Sequence, residues 1–465
     1  MCLRRTSVSS NIEGKTYFCT PMENYNVFMF LPATNKSHPL SDNSVFVLAS
    51  RMDSFSMFAD MSPGADSALS NMVAMLSIIE ALGRAQSTIK LLSEKNDKHL
   101  FLAFFNGESF DYIGSSRMIW EMAKDEFPQP LKNGTEEQPA LFHLSNIAFF
   151  LELNQLALSG DGRLFLHVDP LSYAKADVQR QVEHVSSQLM NFGDGMFIGY
   201  NKSIPLPPAS LQSFLKARPD LPGLVITDHL YEFSNKFYNS FMDQPPRINQ
   251  LKFARVVKHA GDAILNLIFL WLNNGVEQQM IPEIDIKMVD TLLKCLLHFP
   301  DWNCTSLRQI IDSLPGTYPM QRTYIGSSLN RIFATYFSSF FLGNEVKKDE
   351  CKDDDGVVNI LAYRSMKNPF TDDNSSHCIA STVMISPARS PAFDIEDYDW
   401  KSGTYSTWAE SVWLRPRMRI FLMSSPSWHN TVFGIGLSIF LLSIFITYTV
   451  KNGADILFAS NISEV

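Results

Sequence analysis

The stretch Leu100-Phe101-Leu102-Ala103-Phe104-Phe105-Asn106-Gly107-Glu108-Ser109-Phe110-Asp111-Tyr112-Ile113-Gly114-Ser115-Ser116 sets an apolar run, a loop rich in glycine and acid, and a helix start back to back. Unbroken apolar character over Leu100–Phe105 describes a strand buried on both faces, as in a parallel sheet covered by helices. Gly107–Ile113 is the loop, and Ser115–Ala123 carries a helical pattern. Upstream, Val45–Ala49 is a second short buried strand. Ser62-Pro63-Gly64 breaks the chain, and Asp66 opens a helical pattern to about Gly83 with Leu69, Val73, Leu76 and Ile79 at helical spacing. Downstream, strands are expected at Ile147–Leu158, Leu164–Val168 and Leu224–Thr227, with a helix at Val178–Leu189. This alternation predicts an α/β fold around a mostly parallel central sheet. Helices follow at Lys252 to about Asn273, Asp285–His298 and Cys304–Leu314. Strands are expected at Thr323–Ile325 and Gly356–Ala362, and polar loops at Lys347–Asp355 and Asn368–Ser376.

Composition agrees with a folded chain. Of 465 residues 45% are hydrophobic and 12% aromatic, which excludes a disordered protein. The net charge of −9 disfavours nucleic acid as a partner, because phosphate backbones are repelled. Thr431–Val450 (TVFGIGLSIFLLSIFITYTV) contains no charge. At about 1.5 Å per residue it spans roughly 30 Å, the thickness of a bilayer core, so one transmembrane helix is expected there. Gly434, Gly436, Ser438 and Ser443 would let another helix approach it closely. Arg415, Arg417 and Arg419 precede the span, and by the positive-inside count they place the large part in the cytoplasm. The sequons at Asn35, Asn133, Asn201, Asn303 and Asn374 argue for the opposite side. The N-terminal stretch MCLRRTSVSSNIEGKTYFC has no apolar core, so no signal peptide is expected in it.

In an open α/β sheet chemistry gathers at the carboxyl ends of the strands. Four loops qualify: Ser50–Ser54, Pro63–Ser67, Asn106–Ser116, and Asp228-His229 with Asn239 and Asp243 beyond. Ordinary roles are open to several of these side chains. Asp66 suits a helix N-cap, Asp53 a turn, and His229 a hydrogen-bonded structural position. Glu108 and Asp111 follow a very apolar strand, so solvent or a ligand is expected to meet them.

The order of these loops resembles the co-catalytic zinc aminopeptidases, whose relatives include the transferrin receptor ectodomain. Those enzymes carry His-x-Asp, then Pro-Gly-Ala-Asp-Asp, a Glu-Glu pair, a further Asp, and a His-Thr-x-x-Asp-Thr segment. Here the first ligand histidine falls on Arg51, a permanent cation that cannot bind zinc. Asp53 and the bridging Asp66 are kept. The general-base glutamate falls on Gly107, the adjacent ligand on Glu108, the next Asp on Asn154, and the last His near Asn239. The resemblance with these departures implies a pseudo-peptidase with no metal and no cofactor, in a three-layer aminopeptidase-like domain.

A closer resemblance is to the nicastrin family, through the hallmark Asp111-Tyr112-Ile113-Gly114-Ser115-Ser116. Ser203–Leu211 (SIPLPPASL), Asn235–Tyr238, Ser390–Phe393, Tyr405–Trp408 and Arg417–Phe421 also fit. That resemblance implies residues 1–44 as the remnant of an N-terminal lobe and linker, 45–415 as the large lobe, 416–430 as juxtamembrane, 431–450 as the membrane helix and 451–465 as a cytoplasmic tail. It implies a type I single-pass glycoprotein whose ectodomain is luminal or extracellular, in the endoplasmic reticulum, Golgi, plasma membrane and endosomes. Its partners would be presenilin, the anterior-pharynx-defective subunit and the presenilin enhancer, with stubs of Notch and amyloid-precursor-like proteins as substrates. Glu108, with Asp111 and Tyr112, would meet the substrate's amino terminus or else hold the domain together. Rival readings are an active zinc aminopeptidase and a scaffold without substrate contact. The resemblance also implies disulfides Cys2–Cys19 and Cys351–Cys378. Cys295 and Cys304 pair with each other or stay free and buried.

Overall fold

A computed structural model describes residues 8–9, 15–16, 19–57, 61–130, 138–278, 280–297, 323–347, 351, 357–358, 360–368, 375–411 and 425–454. Eight strands form the main sheet: β1 Glu23–Leu31, β2 Val45–Arg51, β3 His99–Phe105, β4 Ile147–Leu153, β5 Leu164–His167, β6 Phe197–Ile198, β7 Gly223–Thr227 and β8 Val383–Arg389. Their spatial order is β8-β1-β3-β2-β4-β7-β5-β6. The middle four, β3-β2-β4-β7, run parallel. Antiparallel strands flank them, with β1 against β3, β8 against β1 and β5 against β7.

Side chains alternate across the strands, as the pleat requires. Val27, Met29, Leu48, Leu102, Leu151 and Ile226 face one layer of helices. That layer contains α1 (Ser70–Arg84), α3 (Ala176–Phe192), α5 (Gln250–Leu272) and α6 (Ser328–Leu342). Phe28, Val47, Phe101, Phe150 and Val225 face the other layer, where Met118 of α2 (Ile113–Met122) and Phe214 of α4 (Leu211–Ala217) pack. The result is three layers, α/β/α. Helix α1 is the central one: Met72, Val73, Leu76 and Ile79 are fully buried. Each such side chain contributes roughly 1.5–3 kcal/mol of burial. A smaller antiparallel sheet, with Leu361–Lys367 and Ser376–Ser381 at its middle, carries the disulfide Cys351–Cys378. Cys295 is disulfide-bonded as well.

Residues 412–465 form a separate unit. Its described part is α7, Pro426–Asn452, capped by Ser425. Among the described residues two helices are long and apolar enough to cross a membrane. Ala65–Arg84 is 94% buried and is core, whereas none of α7 is buried.

Several expectations change. Strand β4 ends at Leu153, and 154–158 is loop. Thr323–Ile325 is also loop, because its polar groups close a turn over β2 instead of joining a sheet. Val357–Val358 and Leu361–Lys367 are two paired strands around a turn at Ile360, not one strand. Strand β1, upstream of residue 45, lies inside the main sheet. Cys2, Asn133, Asn303, Asn374, Cys304–Leu314 and residues 416–424 lie outside the described residues.

Candidate functional site

The four parallel strands deliver Arg51, Glu108, Glu152 and Asp228 to one end of the sheet. Arg51 closes β2 and is 2% exposed. Its Nε donates to the Ser67 carbonyl at 2.7 Å and its Nη1 to the Tyr238 hydroxyl at 2.8 Å. The guanidinium also lies over the Tyr238 ring, 5.0 Å from its centre. Burial opposes the charge, but Tyr238, Asp53 and Glu152 outweigh it and hold the pKa above its ordinary value.

Asp53 is fully buried and staples the motif loop. Its two oxygens accept from the Glu108 amide at 2.8 Å and the Ser109 amide at 3.0 Å. Gly107 makes this approach possible. It turns at φ +78°, and a Cβ there would sit 2.6 Å from Ile325 Cδ1 and 2.9 Å from Ile113 Cβ. The loop then passes through two more left-handed residues, Asp111 (φ 69°) and Tyr112 (φ 57°), before α2 begins. Phe110 anchors the bend from below, edge-on to Phe55, Tyr324 and Trp408. Its carbonyl accepts from Ser406 Oγ at 2.7 Å, which ties the Tyr405–Trp408 segment to the motif.

Glu108, where the sequence suggested that solvent or a ligand would meet it, is only 5% exposed. Its oxygens accept from the Ser115 amide and the Ser115 hydroxyl, both at 2.8 Å. Burial pushes its pKa up to about 8, and the nearby Asp53 adds to the shift. The Tyr112 hydroxyl donates to Gln212 Oε1 at 3.2 Å, and Ser115 Oγ reaches Ser213 Oγ at 3.0 Å. Both contacts bind the motif to α4. Asp111 is exposed.

Asp66 is no N-cap. Its Oδ1 accepts from the Ala157 amide at 2.9 Å, and its Oδ2 has no hydrogen-bond partner. The helix start is capped from afar by Asp243, which accepts from the Asp66 and Ser67 amides and from the Ser67 hydroxyl. Burial, then the negative charges of Asp228 and Asp243, push the Asp66 pKa well up. Asp228 accepts from the Leu158 amide and holds His229 Nδ1 at 3.0 Å, so His229 is the structural histidine. Asn154 donates to the Pro208 carbonyl at 2.6 Å, and Asn239 accepts from the Phe55 amide at 3.4 Å. Arg51, Asp53, Asp66, Gly107 and Glu108 are thus brought together, while Asn154 and Asn239 serve the loops around them. Among the described residues no three His, Cys, Asp or Glu side chains are placed to hold a metal ion.

Two site groups escaped the sequence reading. Glu152 hides inside the apolar run of β4 and accepts from the Ser210 and Leu211 amides, both at 2.9 Å, capping α4. Its signal was a lone acid at the end of a buried strand. Thr323, 0% exposed, hydrogen-bonds Ser54 and the Ser62 carbonyl across the mouth of β2. No local pattern marks it. Of the sequons, Asn35 and Asn201 are described, at the surface; each side-chain oxygen accepts from the amide of the serine two residues on, at 3.0 Å.

The family described as Nicastrin large lobe matches residues 44–283. Human nicastrin is 32% identical over 98% of this chain, which spans 66% of that relative's length. Nicastrin of Arabidopsis thaliana is 25% identical over 91% of this chain and 64% of its own length. A crystal structure of the gamma-secretase component nicastrin superposes with a TM-score of 0.60, at 19% identity, over 86% of this chain and 68% of that one.

Proposed function

The chain belongs to the nicastrin family, and from that membership we propose that it acts as a non-catalytic, membrane-anchored subunit of a γ-secretase assembly. The observation that carries this reading is that the motif loop turns its carboxyls onto its own donors. Both oxygens of Asp53 and both of Glu108 are spent on N–H and O–H donors of the protein itself. A co-catalytic zinc pair does not fit such residues, since the carboxyls are held in place by the loop's own donors and a fixed cation stands among the ligand positions. Arg51 supplies that cation, and the space at Gly107 admits no side chain for a general base. The loop is therefore scaffolding, and Glu108 organises it.

On this reading presenilin supplies the chemistry, with the anterior-pharynx-defective subunit and the presenilin enhancer completing the complex. Substrate stubs are screened by the bulk of their ectodomains rather than by a salt bridge to Glu108. The ectodomain is luminal and α7 is the anchor. The test is affinity purification of the tagged full chain from membranes, followed by cleavage assays on stubs that differ in two independent ways. Lengthening the N-terminus should depress cleavage, and acetylating the terminal amine at fixed length should leave it unchanged. Loss of cleavage on acetylation would instead assign amine binding to Glu108, and purification without presenilin would reject the subunit reading.

A further inference from the structure

The floor of the site is rich in buried acid. Asp53, Asp66, Glu108, Glu152, Asp228 and Asp243 are each at most 5% exposed. Among the described residues Arg51 is the single buried lysine or arginine. A buried charge is costly unless an opposite charge or a full set of hydrogen bonds compensates it. Glu152 lies opposite Ala49 on the neighbouring parallel strand, so Glu152 and Arg51, two residues on, leave the same face of the sheet, and Asp53 follows Arg51 by two positions. Burial raises the pKa of both acids; the Arg51 charge pulls against that shift, and their charges favour Arg51 in return. Those two acids are the ones that hold the motif together. Asp53 binds the Glu108 and Ser109 amides, and Glu152 caps α4, which receives Tyr112 and Ser115 through Gln212 and Ser213.

We propose that Arg51 is the internal counter-ion of the site: a guanidinium fixed by Ser67 and Tyr238 carries the positive charge that metal ions carry in a hydrolase, and through Asp53 and Glu152 it positions the motif loop. The proposal rests on the non-catalytic reading. The guanidinium is anchored at two points, so the charge cannot swing out to solvent, and its fork cannot be reproduced by lysine.

A double-mutant cycle on the full chain in detergent tests it. R51M should lower the melting temperature by roughly 5 °C or more, because it leaves buried acids uncompensated. R51K, which keeps the charge but loses the fork, should cost less than R51M. E152Q removes one of the acids, so the R51M/E152Q double variant should lose clearly less than the sum of the single losses. Recovery of the double variant where R51M alone fails to accumulate is the same rescue in stronger form. Additive losses with R51K equal to R51M would overturn the counter-ion role and leave only packing. So would failure of both R51M and the double variant to accumulate while E152Q does. Stoichiometric zinc retained by the unaltered chain would instead strike at the non-catalytic reading beneath the proposal.

Discussion

Gly107 and Gly114 bracket the stretch that carries Glu108, Asp111 and Tyr112, and each is glycine for a reason the surroundings impose. Gly107 needs a positive φ and has Ile325 and Ile113 against it. Gly114 lies so close to Asn106 that a Cβ would fall 2.9 Å from its amide nitrogen. Gly107→Ala should cost about 2–4 kcal/mol in denaturant unfolding, from left-handed strain plus overpacking. Gly107→Glu should likewise destabilise the chain and restore no peptidase activity on an aminoacyl substrate. At this scale the sequence was partly legible. The succession of Gly107, Glu108 and the hallmark hexapeptide marks a tight, built loop, and Arg51 reads at once as a departure from metal ligation. What no local pattern can reveal is where lone pairs are spent. Glu108 looks like an exposed acid after an apolar strand, and only the fold brings the Ser115 amide back onto it. Glu152 was invisible because strand burial overrides the cost of one acid once two amides meet it.

Among the elements, α4 and the motif loop behave as one piece, cross-linked by Tyr112–Gln212 and Ser115–Ser213 and held from beneath by two carboxyls. Burial raises Glu152 from 4.5 to about 7 and Glu108 from 4.5 to about 8. Folded pKa values above the unfolded ones mean that the native state binds more protons. Their contribution to stability is fully present below about pH 4.5 and is lost as pH rises through about 7 and 8. His167 opposes this at the acid end, because burial lowers it from 6.5 to about 4. Its contribution is present above 6.5 and lost as pH falls through 4. Stability against thermal unfolding should therefore weaken between pH 6.5 and 8, and Glu108→Gln should flatten that slope even though it lowers stability overall. An unchanged slope would place the titration elsewhere. The elements themselves were mostly legible: β2, β3, β7, α1, α3 and α5 follow from apolar runs and helical spacing. Strand β1 and helix α6 were not, because polar residues such as Asn24, Asn26, Asn330 and Arg331 blur their periods and tertiary packing decides them.

For the molecule as a whole, length and apolarity do not separate a core helix from an anchor; burial does. Ala65–Arg84 is buried inside the three-layer domain, whereas among the described residues none of Pro426–Asn452 is buried. A chain ending before residue 425 should leave the membrane pellet on alkaline extraction and still unfold cooperatively, with its circular dichroism unchanged. Retention of that shortened chain in the pellet would show that another surface holds it there.

The sheet edge formed by β1 and β8 joins segments about 350 residues apart, and closing so large a loop carries a high entropic cost that slows folding. As a nascent chain leaves the ribosome, β1 must wait for β8, which follows nearly everything else in the domain. Until then β1 has one bare flank and the aggregation hazard of any unpaired strand. The helix at 426–452 emerges soon after β8. The last seam of the main sheet can therefore close only once nearly all of the domain has been made.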